Sequence, residues 1–242
     1  MLHQYKIYET QTELAHELAH QLKAITNIKP EVYIAISGGN TPRYLFDILA
    51  KEYAETIEWE RINFFWVDER CVPPTDSESN YGMTLKHLLS ALPITRHKVY
   101  RIKGEMVAKE ALEEYIEQIN NHVPQRDGLP CFDLTLLGMG EDGHTASIFP
   151  HEIELWQSPN ICAIGTHKST GQQRITLTGK TINNSSAIVL MITGENKAPI
   201  IKEIFNQEAS SKKYPASLVD TSKSEWWLDK KAAELIKQTG EG

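Results

Sequence analysis

Cysteine is scarce in this sequence: its 242 residues contain only Cys71, Cys131 and Cys162, with no C-x-x-C pair. This spacing suggests neither a disulfide framework nor a zinc cluster, and it points to a reducing compartment. Long apolar runs are also missing, since no stretch approaches the roughly 18 apolar residues of a membrane span, and the first ten residues lack the features of a signal peptide. We therefore expect a cytoplasmic protein with no membrane partner and no bound metal.

Positive charge is in the minority, with 25 Lys and Arg against 32 Asp and Glu and a formal net charge of −7. Affinity for a phosphate backbone depends on clustered Lys and Arg, so this balance argues against a nucleic-acid partner. It does not exclude a small anionic substrate, which needs positive potential only within a pocket. The sequence also lacks a Walker loop and the H-E-x-x-H, G-x-S-x-G and EF-hand patterns. ATP hydrolysis, zinc proteolysis, a serine-hydrolase nucleophile and calcium binding therefore lose support, and acid–base chemistry remains.

The residues that are present predict a single α/β domain over residues 1–242, because 40% are apolar, 24% are charged and the length suits one core. Strand patterns alternate with helical ones, and continuous apolar runs predict a mainly parallel sheet covered on both faces. The predicted helices cover about 11–26, 80–90, 107–121, 195–206 and 230–238. The predicted strands cover about 31–36, 62–67, 132–137, 161–166, 174–178, 186–193 and 225–229. In such sheets, ligands bind beyond the carboxyl ends of the strands.

The first candidate motif is the turn Ser37-Gly38-Gly39-Asn40-Thr41-Pro42, which follows a predicted strand. Glycines let the backbone approach an anion, hydroxyls can donate hydrogen bonds, and a following helix would present free N–H groups. Thr41 is a plausible N-cap of that helix, with Pro42 at its first position. The motif predicts a phosphate site formed by Ser37, Gly38, Gly39 and Thr41; the alternative is an ordinary strand-to-helix turn.

The second motif is Asp68-Glu69-Arg70, at the start of a predicted polar loop over residues 68–79. We expect these three charged residues at the rim of the crevice. Arg70 suits an oxyanion because its planar guanidinium donates in a bidentate geometry. Asp68 could orient Arg70 or contact sugar hydroxyls, which makes it a catalytic candidate. The alternative is that all three are solvated surface charges.

The third motif, Gly138 to Ser147, places a histidine beside an acid in a glycine-flanked turn. Histidine has a reference pKa of about 6.5, so neutral His144 could accept a proton from water while Asp142 orients its ring. His144 is therefore a candidate general base. His167 is left undecided. Seven other histidines are expected to be structural or exposed: His3, His16, His20, His87, His97, His122 and His151.

Gly138, Gly140 and Gly143 also match the G-x-G-x-x-G pattern of dinucleotide sites. The true fingerprint expects an acidic residue that ends the next strand, about 20 residues on. Residues 161–167 contain no acid, and the motif lies in the middle of the chain. NAD binding is therefore disfavoured, and we expect no cofactor.

Two isolated basic residues, Arg174 and Lys197, lie at the edges of predicted strands. Either could neutralise a phosphate, or each could be a surface charge. Trp226 and Trp227 are expected to pack in the core rather than to bind sugar.

Taken together, these segments resemble the glucosamine-6-phosphate isomerase/6-phosphogluconolactonase family, over nearly the whole chain and in family order. The resemblance is carried by Ser-Gly-Gly-Asn-Thr-Pro at 37–42, Val-Asp-Glu-Arg at 67–70 with Ser-Asn-Tyr at 79–81, and Gly-Met-Gly-Glu-Asp-Gly-His-Thr-Ala-Ser at 138–147. The Arg-Ile-Thr-Leu-Thr segment at 174–178 and the turn at 194–197 are also similar to the family's later signatures.

This resemblance implies a Rossmann-like fold of the deaminase/lactonase type. It further implies hydrolysis of 6-phospho-D-glucono-1,5-lactone in the oxidative pentose phosphate pathway, by a monomer or weak homodimer. By matching positions, His144 corresponds to the proposed base, Arg70 and Arg174 to substrate-anion contacts, Lys197 to a phosphate contact, and residues 37–41 to the phosphate-side loop.

The related deaminases carry a glutamate five residues after the histidine, where this sequence has Phe149. A missing carboxylate disfavours the deaminase, because its ring opening and proton transfer need that group. A hexosamine-phosphate deaminase or isomerase is therefore the second hypothesis, and a non-catalytic sugar-phosphate sensor is the third.

Overall fold

A computed structural model describes residues 3–93 and 98–236 of the chain. In its first helix, the local sequence determines where the helix begins. The side chain of Thr10 caps the helix by accepting a hydrogen bond from the backbone N–H of Glu13, and Glu13 accepts one from the N–H of Glu9. Leu14 and Leu18 then lie on its buried face. This confirms the predicted first helix, which runs two residues longer than expected, from Gln11 to Ile28.

The central sheet contains seven strands, all paired in parallel, in the order β1-β12-β11-β8-β2-β3-β5. Its strands are β1 (Gln4–Tyr8), β2 (Val32–Ile36), β3 (Ile62–Trp66), β5 (Val99–Tyr100), β8 (Leu134–Leu137), β11 (Ala187–Ile192) and β12 (Ser224–Asp229). Every residue of β3 and β8 is buried, so both faces of the sheet are covered at its centre. The predicted mainly parallel α/β fold is confirmed.

Six α-helices accompany the strands of the described chain. They are α1 (Gln11–Ile28), α2 (Asn40–Glu52), α3 (Asn80–His87), α4 (Ala108–His122), α5 (Gly179–Asn183) and α6 (Ala198–Phe205). Helices α1 and α2 pack against each other, and Tyr115 of α4 hydrogen-bonds the backbone of Trp66 in β3 through its hydroxyl. No helix within residues 3–93 and 98–236 is both long enough and apolar enough to cross a bilayer. Trp226 and Trp227 are fully buried in the core, as expected.

A second, antiparallel sheet of three strands stands beside the first, in the order β4-β10-β9. Its strands are β4 (Asp68–Arg70), β9 (Cys162–Thr166) and β10 (Gln173–Leu177). The prediction that residue 68 opens a polar loop was therefore wrong, because backbone pairing with β10 turns this charged tripeptide into a strand. A short hairpin, β6 (Gln125–Arg126) and β7 (Leu129–Pro130), completes the strands.

The predicted helix near 230–238 is wrong over its described part. Residues 230–236 form successive turns, and the carboxylate of Asp229 accepts hydrogen bonds from the backbone N–H groups of Ala232 and of Gly194. Residues 237 and 238 of that prediction, and His97 among the histidines, lie outside the described residues.

Candidate active site

One cavity of about 380 Å³ collects nearly all the predicted site residues at the carboxyl ends of the parallel strands. Its walls come from the segments after β2, β3, β8 and β11, together with β10. The predicted residues that line it are Ser37, Gly38, Gly39, Thr41, Asp68, Arg70, His144, Arg174 and Lys197. Asp142 does not line the cavity but contacts His144.

The segment after β2 forms one end of the cavity. Helix α2 begins at Asn40, and its N-cap is Gly39, with a φ of 103° that favours glycine. The prediction that Thr41 is the N-cap was therefore wrong. Its hydroxyl instead lies 2.8 Å from the hydroxyl of Thr193. No described side chain caps this end of α2, so its amino terminus presents backbone N–H groups to an anion.

Ser37 lines the cavity, but its hydroxyl donates a hydrogen bond of 2.8 Å to the carbonyl of Leu136. In this arrangement the hydroxyl hydrogen of Ser37 is engaged by the protein, and the role of Ser37 in phosphate binding stays a prediction.

Asn80 is a cavity residue that sequence reasoning did not single out as a site residue. Its side chain is 3% exposed, and its Nδ2 donates to the backbone carbonyl of Asp68 at 2.9 Å. A Cβ on Gly38 would lie 1.8 Å from Asn80 Oδ1, so only glycine allows the two segments to approach this closely. The available signal was Ser79, whose hydroxyl caps α3 and fixes where Asn80 lies.

The two acids of the second motif are buried rather than at the rim. Glu69 is 2% exposed, and burial raises its pKa even though its carboxylate accepts hydrogen bonds from Ser79 and from the backbone of Arg70, Asn80 and Tyr81. It therefore ties β4 to the start of α3.

Asp68 is 6% exposed, and its Oδ2 accepts a hydrogen bond of 2.6 Å from the Ser147 hydroxyl. Among the described residues it makes no ion pair with Arg70, whose Nη1 instead donates to the carbonyl of Glu78. Asp68 thus does not orient Arg70, contrary to one sequence-based option, and it joins the second motif to the third.

Arg70 and Arg174 face each other as direct cross-strand partners of β4 and β10. Burial lowers the pKa of Arg174, and the nearby charge of Arg70 lowers it further. Arg174 also places its guanidinium 5.5 Å from the ring centroid of Phe149 and donates from Nε to Gln172 at 3.2 Å. Like charges directly opposite on a sheet are destabilising, so this arrangement is suited to an anion that both can contact.

His144 and Asp142 form a close pair, with Nδ1 of the imidazole 2.6 Å from Oδ1 of the carboxylate. Burial disfavours the charged carboxylate, but the hydrogen bond and charge of His144 outweigh this and lower the pKa of Asp142 to about 2. An ionised carboxylate only accepts hydrogen bonds, so Nδ1 of His144 donates to Asp142, and Nε2 is the ring nitrogen that this pair leaves unengaged. A Cβ on Gly140 would lie 2.1 Å from Nδ1, so this glycine makes room for the ring.

Lys197 ends a short 3-10 turn, Glu195–Lys197, directly before α6. Burial lowers the pKa of its amine despite the nearby charges of Glu141 and Asp142. Lys197 is thus a partly desolvated cation on a cavity wall, which an anionic ligand would stabilise.

The glycines of the third motif do not have the setting of a dinucleotide site. That fingerprint requires a helix that begins at the glycine turn, whereas residues 138–149 form turns and a single β-bridge between Thr145 and Ile148. The expectation against NAD rests on this context as well as on the missing acid.

The family model described as glucosamine-6-phosphate isomerases/6-phosphogluconolactonase matches residues 7–228. A 6-phosphogluconolactonase of Treponema pallidum is 42% identical over 205 residues, which are 85% of each protein. The 6-phosphogluconolactonase of Haemophilus influenzae is 38% identical over 235 residues, covering 96% of this chain and 99% of that one.

Solved structures also show similarity to this family. The crystal structure of the devB protein has a TM-score of 0.92 at 36% identity and covers 97% of this chain and 99% of its own. The 6-phosphogluconolactonase of Thermotoga maritima has a TM-score of 0.81 at 26% identity, over 93% and 98%. A monomeric glucosamine-6-phosphate deaminase has a TM-score of 0.81 at 19% identity, which shows the shared fold alone. The chain therefore belongs to the family of glucosamine-6-phosphate isomerases and 6-phosphogluconolactonases, as its sequence motifs predicted.

Proposed function

We propose that this enzyme hydrolyses 6-phospho-D-glucono-1,5-lactone to 6-phospho-D-gluconate. The observation that carries the proposal is that an imidazole paired with a carboxylate and three cationic side chains border a single cavity. The cations are Arg70, Arg174 and Lys197. Its curated relatives at 42% and 38% identity carry the name 6-phosphogluconolactonase.

In the proposed reaction, Nε2 of His144 removes a proton from a water molecule as the water oxygen attacks C1 of the lactone. The C1 carbonyl becomes a tetrahedral oxyanion, which cationic side chains or backbone N–H groups of the cavity stabilise. When the bond from C1 to the ring oxygen breaks, the imidazolium returns its proton to that oxygen. Asp142 holds the ring and balances the imidazolium charge, as its short contact with Nδ1 allows.

Recognition of the phosphate is assigned to the cations and to the amino end of α2. Both Arg174 and Lys197 have lowered pKa values, chiefly because burial disfavours their charged forms. A bound phosphate would offset that cost, so we expect changes at either residue to act mainly on KM.

A hexosamine-phosphate deaminase is the second candidate. In the related deaminases a glutamate stands five residues after the histidine, and here that position holds the buried ring of Phe149. Lactone hydrolysis needs no such carboxylate, so this residue favours the lactonase.

The deciding experiment supplies the purified protein with freshly made phosphogluconolactone and, separately, with glucosamine 6-phosphate. We expect rapid acid release from the lactone above its spontaneous hydrolysis and no ammonia from the amine. Ammonia release would identify a deaminase, and binding of 6-phosphogluconate without turnover would identify a sensor. The proposal extends to action in the cytoplasm, in the oxidative pentose phosphate pathway, by a monomer or weak homodimer.

A further inference from the structure

Phe149 is a buried aromatic residue that lies outside the main cluster of core residues. Its side chain is 2% exposed, yet it is not among the residues of the main core cluster. It does not line the cavity either, but it contacts two residues that do, His144 and Arg174. The ring is therefore buried between the main core cluster and two residues of the cavity wall.

The neighbours of the Phe149 ring are unusual for a buried apolar side chain. The ring centroid lies 4.9 Å from that of His144 and 5.5 Å from Cζ of Arg174. The rings of His167 and His151 follow at 5.4 Å and 5.6 Å. Four nitrogen-rich side chains thus surround one aromatic ring.

The physics of the aromatic ring fits these neighbours. The face of a phenyl ring is electronegative and attracts a nearby cation, most strongly where water is excluded. The guanidinium of Arg174 lies over the ring and benefits directly, and the imidazole of His144 packs against the ring at an interplanar angle of 51°. Asp142 holds His144 from the Nδ1 side, and Phe149 packs against the same ring.

Hydrogen bonds hold the segment of the chain that carries Phe149. The carbonyl of Phe149 accepts a hydrogen bond from the N–H of Glu152, and the carboxylate of Glu152 accepts one of 2.8 Å from the N–H of Thr166 in β9. Pro150 follows directly and restricts the chain further. The backbone that carries the ring is therefore linked to the antiparallel sheet that contains Arg174.

We infer that Phe149 is a positioning residue: it orients the imidazole of His144 for proton transfer and the guanidinium of Arg174 for the substrate anion. The inference rests on the proposed lactonase function. The Phe149 ring thus contributes to both the chemical step and substrate binding, although it does not line the cavity.

The test compares Phe149→Leu, which removes the ring, with Phe149→Tyr, which keeps it. We expect Phe149→Leu to lower kcat and to raise KM, so that kcat/KM falls by about 3- to 30-fold. This range corresponds to the loss of one cation–aromatic contact. Phe149→Tyr should keep kcat within about 3-fold of wild type, because the ring face is retained. Phe149→Met, which preserves apolar volume, replaces the leucine variant if that protein does not fold.

The matched control is Phe64→Leu, since Phe64 is 1% exposed and packs against Trp59 in the core. This variant should lose stability and keep wild-type kcat and KM. Wild-type kinetics in Phe149→Leu would overturn the inference, and so would an equal loss of kcat in the tyrosine variant at equal folded fraction.

A second readout separates this inference from the proposed function. Calorimetric titration with 6-phosphogluconate measures how well Arg174 is held, whether or not the protein turns over lactone. Inactive wild-type protein would overturn the lactonase proposal alone. Weaker binding to Phe149→Leu, and not to Phe64→Leu, would still support the positioning of Arg174, whereas equal binding would contradict it.

Discussion

The hydroxyl of Ser147 donates a hydrogen bond of 2.6 Å to Oδ2 of Asp68, across 79 positions of sequence. The backbone N–H of Ser147 donates to the hydroxyl of Thr176 in β10, and Asn80 donates to the carbonyl of Asp68. Asn80 in turn lies directly against Gly38. Buried hydrogen bonds thus join the second and third segments that the sequence singled out, and the first segment packs against Asn80.

Replacing Ser147 with alanine removes the hydroxyl partner of a buried carboxylate. A buried acceptor left without its donor costs roughly 1–3 kcal/mol, so we expect the free energy of unfolding to fall by about that amount. Urea unfolding followed by circular dichroism measures it. Ser169→Ala is the control, because Ser169 is exposed and should change stability by less than about 0.5 kcal/mol. Equal effects of the two changes would contradict a special role for the Ser147 contact.

His144→Ala tests the general base. Removal of such a group typically costs about 10²–10⁴-fold in rate, so kcat for lactone hydrolysis should fall into that range while KM changes little. Stopped-flow detection of acid release, corrected for spontaneous hydrolysis, provides the measurement. His20→Ala changes an exposed histidine of α1 and should retain wild-type kcat. Undiminished turnover in the His144 variant would rule out the proposed mechanism.

Asp142→Asn tests the partner of the base. The variant loses a charge-assisted hydrogen bond, which is worth about 1.5–3 kcal/mol, so we expect kcat at neutral pH to fall by about 10- to 100-fold. Rates measured from pH 5 to 8 check this expectation. A full-rate asparagine variant would show that the carboxylate is dispensable.

The same carboxylate gives a prediction for stability at low pH. The pKa of Asp142 is about 2 in the folded protein, below its reference value of 3.8, so the unfolded chain binds the proton more tightly. Its contribution to stability is fully present above about pH 4 and is lost as the pH falls towards 2. The difference in unfolding free energy between wild type and Asp142→Asn should therefore shrink over this window. A difference that grows on acidification would contradict the prediction.

Much of the fold could be predicted because its signals are local. The Thr10 cap and the helical spacing of Leu14 and Leu18 define α1, and unbroken apolar runs mark the strands buried on both faces. The antiparallel sheet could not be predicted, since Asp68–Arg70 has no apolar pattern and becomes a strand only by pairing with distant β10. The C-terminal helix was a wrong prediction of the same kind, because local helix propensity does not report the hydrogen bonds that Asp229 makes with Gly194 and Ala232.

The position of the candidate site was predictable for a topological reason. Parallel strands bring their carboxyl ends to one edge, so the turns after β2, β3, β8 and β11 meet there whatever their separation in sequence. The partners of each side chain were not predictable. Neither the binding of Ser37 to Leu136 nor the packing of Asn80 under Gly38 leaves a trace in local sequence, because both depend on contacts between distant segments.

The opposed arginines give a prediction about stability and binding together. Because Arg70 and Arg174 are cross-strand partners, their repulsion disfavours the ligand-free fold by roughly 0.2–1 kcal/mol. Arg174→Gln relieves this repulsion but also removes the cation–aromatic contact with Phe149, so we expect the two effects to offset each other and the free energy of unfolding to change by less than about 1 kcal/mol. KM should rise about 10-fold or more, because a charge-assisted contact with the substrate anion is lost.

Urea unfolding with and without 6-phosphogluconate, together with initial rates, measures both effects of Arg174→Gln. Product binds only the folded protein and so stabilises it, and the variant should gain less from a given concentration than wild type. Lys51→Gln, at an exposed position near the end of α2, removes one positive charge elsewhere and controls for net charge. If Arg174→Gln lost stability while it kept the wild-type KM, Arg174 would serve the fold rather than the substrate, and the anion would have to be held by Arg70, Lys197 and the amino end of α2.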